Sequence, residues 1–321
     1  MSPPQLNGNM ELDGGAQKED EDLPREQIVF FIRHGQSRWN QAQASLSPLG
    51  MLWENDHGLS EDGRLQAEEL KRKLLEAKAR CVNPKGTWMT RIFDPDVVAS
   101  SPFTRCLETA CISLQDFLPK PGLAIFREAR EHKKIGGFDS TGIACGEDIP
   151  ARVRADLEAV YQASGSADET AQVLEAFDKI QMDTSTVKDE WWGSMLGESY
   201  ADIDDIQQAL MKRIRRQRGS LAGGGAATVL VGHSYCIRAL FDAHLPTSAS
   251  PDAVSLRTRA LPCCGIVGTR IQWTDAGEPV IREAVPMLGT QLESAEDGKD
   301  SSGSRVSSCT CGRGNASCVL S

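Results

Sequence analysis

No run in the 321 residues approaches the roughly 20 apolar positions of a membrane-spanning helix, so no span is expected. The opening stretch, MSPPQLNGNMELDGGAQKEDED, lacks the apolar core of a secretory signal. It also lacks a glycine after the first methionine, which removes N-myristoylation. A clustered basic face is missing too. The net charge is −10, and a phosphate polymer needs such a face, so no nucleic-acid partner is expected. The local exception, Lys212-Arg213-Ile214-Arg215-Arg216-Gln217-Arg218, reads as a solvated helix face ending at Gly219. Zinc-site spacings are absent: Cys263-Cys264 and the Cys309/Cys311 pair lack the matching histidines. The ten cysteines, without a signal peptide, imply reduced thiols. Neither a metal nor another cofactor is expected. No internal repeat is visible.

What is present is an ordinary globular composition, 40% hydrophobic and 25% charged, enough for one large core. Length alone would also permit two domains. Residues 1–25 are polar, acidic and rich in Gly and Pro, the signature of a disordered segment. Residues 26–290 are expected to form the catalytic domain. From Gln291 onward Ser, Gly and Asp dominate, and 291–321 reads as a flexible tail.

Within the domain, Ile28–Ile32 predicts a buried strand. Ser60–Arg80 predicts an amphipathic helix with Ser60 as N-cap, Glu61 and Asp62 in its first turn, and Leu70, Leu74 and Leu75 on one face. Asp96–Ser100 is a short strand, Phe103–Phe117 a helix with proline near its start, and Leu123–Glu131 another strand. Helices and loops follow from Ile149 to about Arg218, interrupted at Gly165 and Gly193. Then come strand Thr228–Val231, helix Tyr235–His244 capped by Ser234, strand Gly265–Trp273 and a last strand near Val280–Ala284. Strands alternating with helices predict a three-layer α/β/α sandwich on a mostly parallel sheet.

Two histidines stand at strand ends. RHGQSRWN, Arg33–Asn40, follows the first apolar run, and Gly232-His233 ends the β-branched run in TVLVGHSYCIRALF. In open α/β sheets this edge collects ligands. A neutral imidazole can attack phosphorus, and a guanidinium fork can hold two phosphate oxygens. His57, His132 and His244 read as ordinary hydrogen-bonded residues, and Trp191-Trp192 as packing.

Four further peptides accompany these two: DHGLSEDGRLQA (56–67), SSPFTRCLETA (100–110), REAREH (127–132) and GESYADI (197–203). Together the six resemble the histidine phosphatase superfamily, in its phosphoglycerate-mutase-like branch, over roughly Ile28 to Ala284. The resemblance implies His34 as the nucleophile that forms a phosphohistidine. Arg33, Arg105 and His233 would surround the phosphate, with Asn40 helping to hold it. The general acid would be Glu131, with Glu128 as its competitor. In an extended strand the two point to opposite faces, so only one can reach the phosphate. Glu198-Ser199 matches the start of a family helix, where capping is role enough.

The superfamily's mutases carry a tight loop after the Asn position and an Arg-His-Tyr-Gly peptide after the acid. This chain has a longer Gln41–Asn55 insertion and REHKKIGG instead, which favours a phosphomonoester hydrolase. Mutase-type phosphoryl transfer and a catalytically weak scaffold for phosphorylated ligands are the alternatives. The partner is a phosphorylated substrate of unread class, because selectivity lies in Gln41–Asn55 and Thr141–Gly197. The ending Cys318-Val319-Leu320-Ser321 has the C-a-a-X form that favours farnesylation of Cys318, although four residues also match by chance. With Cys309 and Cys311 as palmitoylation sites, this gives the expectation of a cytosolic enzyme tethered peripherally to a membrane through its C-terminal tail.

Overall fold

The computed structural model describes residues 23–45, 56–81, 87–120, 122–131, 148–163, 167–188, 200–219, 221 and 224–293. Seven strands form one sheet: β1 (Glu26–Arg33), β2 (Val97–Ser100), β3 (Leu123–Ile125), β4 (Met182–Asp183), β5 (Ala227–Gly232), β6 (Ile266–Trp273) and β7 (Pro279–Met287). Their spatial order is β4-β3-β2-β5-β1-β6-β7. The pairings from β4 across to β1 are parallel, and β6 and β7 are added antiparallel at one side. The fold is the expected mostly parallel α/β architecture.

The layers follow from the alternation along β1. Ile28, Phe30 and Ile32 join one apolar cluster, whereas Val29 and Phe31 join another. Consecutive side chains leave a strand on opposite faces, so both faces of β1 must be covered. The first face is covered by α2 (Glu61–Arg80), α3 (Thr104–Ser113), α4 (Ile149–Ala163) and α5 (Ala167–Asp178). The second is covered by α6 (Tyr200–Arg215), α7 (Ser234–His244) and the short α8 (Pro251–Ser255). A small helix, labelled α1 (Arg38–Ala44), follows β1 and has no counterpart among the predicted elements. The two-residue β4 and the 3-10 turn Trp88–Phe93 were equally invisible to periodicity, being too short to show any.

Helix α2 begins and ends where its sequence directs. Ser60 accepts from the Gly63 N–H at 3.2 Å, Glu61 and Asp62 occupy the positive N-terminal turn, and Lys78 and Arg80 the negative C-terminal one. Leu70 and Leu74 are buried, each contributing about 1.5–3 kcal/mol. Leu75 is 40% exposed, which corrects its placement on that face. One residue past Leu74 the helix has turned about 100°, away from the sheet.

Three other boundaries differ from expectation. The helix after β2 stops at Ser113 and continues only as a 3-10 turn, Gln115–Phe117. The third strand stops at Ile125, and Arg127–Ala129 forms a 3-10 turn. Helix α7 already includes Ser234, so its N-cap is His233, which makes no side-chain capping bond. The basic segment of α6 is also less solvated than expected: Arg213 lies 4.5 Å over the Phe126 ring and 3.7 Å from Glu128. No helix among the described residues is long and apolar enough to cross a membrane. His132, Trp191-Trp192, Glu198-Ser199 and the C-terminal cysteines lie outside the described residues.

Candidate active site

Strands β1 and β5 are parallel neighbours with Arg33 opposite Gly232, and the His34 N–H donates to the Gly232 carbonyl at 3.0 Å. His34 and His233 therefore leave the sheet side by side at its carboxyl edge. Their ring centroids lie 5.2 Å apart, at 65° to each other. His34 is 6% exposed and His233 1%. His34 Nδ1 is 2.6 Å from the Gly35 carbonyl oxygen. A carbonyl only accepts, so Nδ1 carries the proton and Nε2 keeps its lone pair. Burial, then the Arg105 and Arg33 charges, hold the imidazole well below its usual pKa of 6.5, against a smaller opposing pull from the Gly35 bond. The ring is neutral at neutral pH.

The loop carrying His34 is fixed from below. A Cβ on Gly35 would stand 2.7 Å from the Gly63 carbonyl oxygen, and one on Gly63 would stand 1.9 Å from that of Gln36. Neither position tolerates a side chain, because two backbones meet there. Gly35 N–H also donates to Thr109 Oγ1 at 3.0 Å, tying the loop to α3.

Arg105 stands in the first turn of α3, buried, with its guanidinium 4.4 Å over the Phe103 ring. Its Nη2 donates to Glu131 Oε2 at 2.5 Å and lies 3.5 Å from His233 Nδ1. Glu131 Oε2 is 3.7 Å from that same nitrogen, and its side chain is 45% exposed. Asp56 lies behind Arg105. Its oxygens accept from Thr104 N–H at 3.0 and 3.1 Å and from Thr104 Oγ–H at 2.9 Å, which substitutes for the missing cap of α3. They also lie 2.9 Å from Arg152 and 3.9 Å from Arg105. Burial raises the Asp56 pKa above 3.8 despite both cations. His233 Nε2 is 2.9 Å from Ser101 Oγ and 3.5 Å from Cys106 Sγ. Burial pushes the Cys106 thiol far above its usual range, so it stays protonated.

The structure thus gathers His34, Arg105, Glu131 and His233. Arg33 is adjacent, but its Nη1 is engaged elsewhere, at 2.5 Å from the Leu261 carbonyl and 2.6 Å from Glu293. Asn40 has a local duty: its Oδ1 accepts from Ser37 N–H at 3.1 Å and from Ser37 Oγ–H at 2.8 Å in the capping box of α1. The strand argument that separated Glu128 from Glu131 does not hold, since neither residue is in a strand. They diverge because Glu128 turns within the 3-10 segment towards Arg213, whereas Glu131 follows it. Among the described residues no group of three or more His, Cys, Asp or Glu is arranged to hold a metal ion.

Sequence reasoning passed over Asp56, Ser101 and Thr109, all within the quoted peptides, because a capping or hydroxyl partner leaves no spacing signature. It also passed over Arg152 and Glu293, which come from distant parts of the chain.

Residues 29–128, from β1 into the turn after β3, match the family model of the histidine phosphatase superfamily (branch 1). No curated protein matches. Solved structures similar to this chain include a phosphoglycerate mutase from Bacillus anthracis, at 17% identity and a TM-score of 0.46, over 83% of this chain and 95% of that one. A putative alpha-ribazole-5'-P phosphatase from Escherichia coli is similar at 17% identity and 0.41, over 80% and 95%. A phosphoserine phosphatase mutant from Entamoeba histolytica is similar at 17% and 0.39, over 80% and 96%.

Proposed function

We propose that the protein is a phosphomonoester hydrolase that works through a phosphohistidine on His34. The observation that carries this is the neutral, buried His34 imidazole, anchored through Nδ1 and set 5.2 Å from His233 beside the Arg105–Glu131 pair. His34 Nε2 attacks phosphorus while the bond to the leaving oxygen breaks. Arg105, Arg33 and His233 neutralise charge on the equatorial oxygens. His233 Nε2 lies 2.9 Å from Ser101 Oγ, and its Nδ1 faces Arg105 and Glu131. Glu131, as general acid, gives a proton to the leaving oxygen. As a carboxylate it then takes one from the water that cleaves the N–P bond, which returns His34 to its starting form. Asn40 supports the phosphate through its amide N–H groups, because its oxygen is already taken by Ser37.

Hydrolysis is favoured over mutase transfer by the two departures from the mutase pattern, the Gln41–Asn55 insertion and REHKKIGG. The test is p-nitrophenyl phosphate hydrolysis by the parent and by His34→Ala. Turnover that disappears in the variant is expected, with an acid-labile phosphoenzyme trapped in the parent only. A variant as active as its parent would remove His34 from the mechanism, and a silent parent would favour the phospho-ligand scaffold.

A further inference from the structure

Beyond β7 the chain turns back on itself at Leu288 and Gly289, both at positive φ (51° and 75°). The returning segment is then fastened to the loop before β6. Thr290 Oγ1 accepts from Ile266 N–H at 2.9 Å, and Glu293 N–H donates to the Ala260 carbonyl at 2.9 Å. Arg259 donates to the carbonyls of Leu292 and Glu293 at 2.6 and 2.7 Å. The strap is held through Thr290 and through its own backbone N–H and carbonyl groups, so the Glu293 side chain is free for another task. That side chain meets Arg33, the residue before His34: Oε1 accepts from Nη1 at 2.6 Å, and the Leu261 carbonyl accepts from the same nitrogen at 2.5 Å.

An Nη1 amino group has two hydrogens, and these two acceptors use both. Arg33 Nε–H is buried and has no hydrogen-bond partner among the described residues. A buried guanidinium donor without an acceptor is costly, and the Nε/Nη2 edge is one of the two forks by which arginine holds an oxyanion. Arg33 is the last residue of β1 and His34 follows it directly, and the Arg33 charge is one of those that depress the His34 pKa.

We propose that Glu293 is a positioning residue. With the Leu261 carbonyl it clamps Nη1 of Arg33 and turns the Nε/Nη2 edge towards the substrate phosphate beside His34. The proposal rests on the phosphatase reading of the site. It assigns a role to a residue that the family model, ending at residue 128, does not reach. Because the clamp engages only one end of the guanidinium, Glu293 organises the phosphate site without occupying it. The opposite arrangement, a carboxylate standing in for phosphate, would make its removal tighten anion binding.

The experiment compares the full-length parent with Glu293→Ala, Glu293→Gln, Arg33→Lys and the Glu293→Ala/Arg33→Lys double variant. Two readouts are taken, orthovanadate affinity by equilibrium titration and p-nitrophenyl phosphate kinetics. Glu293→Ala is expected to weaken orthovanadate binding about tenfold, the scale of a lost charge-assisted hydrogen bond. KM should rise more than kcat falls. Glu293→Gln keeps an acceptor in place and should recover most of the loss. The double variant should bind no worse than Arg33→Lys alone, because the two residues act through one another. Unchanged or tighter binding in Glu293→Ala, or fully additive losses, would overturn the assignment. A parent that binds orthovanadate without turnover fails the hydrolase reading alone, and the binding series still decides Glu293.

Discussion

Glu131 Oε2 lies 2.5 Å from Arg105 Nη2, so the proposed acid and the proposed phosphate cation are in direct contact before any substrate arrives. In the proposed mechanism a phosphate beside His34 would compete with Glu131 for that guanidinium. The carboxyl group, on a half-exposed side chain, would then be released towards the leaving oxygen. Acid catalysis should therefore fail separately from phosphoryl transfer. Glu131→Gln is expected to slow substrates with poor leaving groups by on the order of 100-fold or more, with a much smaller effect on aryl phosphates. Glu128→Gln, 3.7 Å from Arg213, should leave both rates near the parent's. Steady-state kinetics across a leaving-group series measures this, and the reverse pattern would exchange the two glutamates.

Arg105 is fixed on three sides, by the Phe103 ring, Glu131 and Asp56. Replacing it by Lys keeps the charge but loses the planar fork that fits both carboxylate and phosphate. Arg105→Lys should lower kcat/KM by on the order of 100-fold. Asp56→Asn should lower it less, through α3 and Arg152, and should also lower the melting temperature. Near-normal turnover by Arg105→Lys would place the phosphate elsewhere.

How far the sequence carries depends on the kind of residue. His34 and His233 are legible because each follows an apolar strand whose register then sets them side by side. Arg105 is legible from its position one turn past a strand-ending Ser-Pro. The structure places Glu131 beside Arg105 and His233, yet it lies beyond a 3-10 turn and not in the extended strand that the sequence suggests. A three-residue strand is too short for alternation to reveal its end. Ser101 and Asp56 act through single hydrogen bonds, which leave no periodic trace. Glu293 reads as part of the tail because its neighbours are polar, although its N–H donates to the Ala260 carbonyl and its carbonyl accepts from Arg259 Nε, which packs it against the domain. Long-range partners of this kind depend on topology, and local composition does not encode them.

The state of His34, the proposed nucleophile, gives a direct spectroscopic test. Burial and two guanidinium charges depress the His34 pKa well below 6.5, so Nε2 should stay unprotonated as the pH falls through that value. Nitrogen NMR of ring-labelled protein should show His34 as a neutral Nδ1–H tautomer at pH values where an ordinary imidazole is already charged. A His34 that titrates at the ordinary value would mean that the ring is solvated and the site open. The same shift makes the folded state bind fewer protons than the unfolded chain below 6.5. This contribution to stability is present above 6.5 and is lost as the pH falls towards the folded value.

The carboxyl pair Glu108 and Asp156 gives the opposite sign. Glu108 on α3 is fully buried, and its Oε2 accepts from Leu59 N–H at 2.6 Å, while Oε1 has no donor among the described residues. Asp156 on α4 faces it and is held by Arg38 of α1 at 2.7 and 3.0 Å. Burial, then the Asp156 charge, pushes the Glu108 pKa well above 4.5, with the Leu59 bond and Arg38 pulling weakly the other way. The folded protein therefore keeps a proton that the unfolded chain releases, and stability falls as the pH rises from 4.5 through the folded value. Glu108→Gln is neutral at every pH and retains an oxygen for Leu59, so it should lack this slope. Denaturant unfolding at a series of pH values is expected to show parent and variant converging in acid. Towards alkaline pH the variant should become the more stable, because groups common to both cancel in the difference. A gap that stays constant with pH, or that opens in the acid direction, would show that Glu108 is ionised in the folded protein and that Arg38 serves both carboxylates.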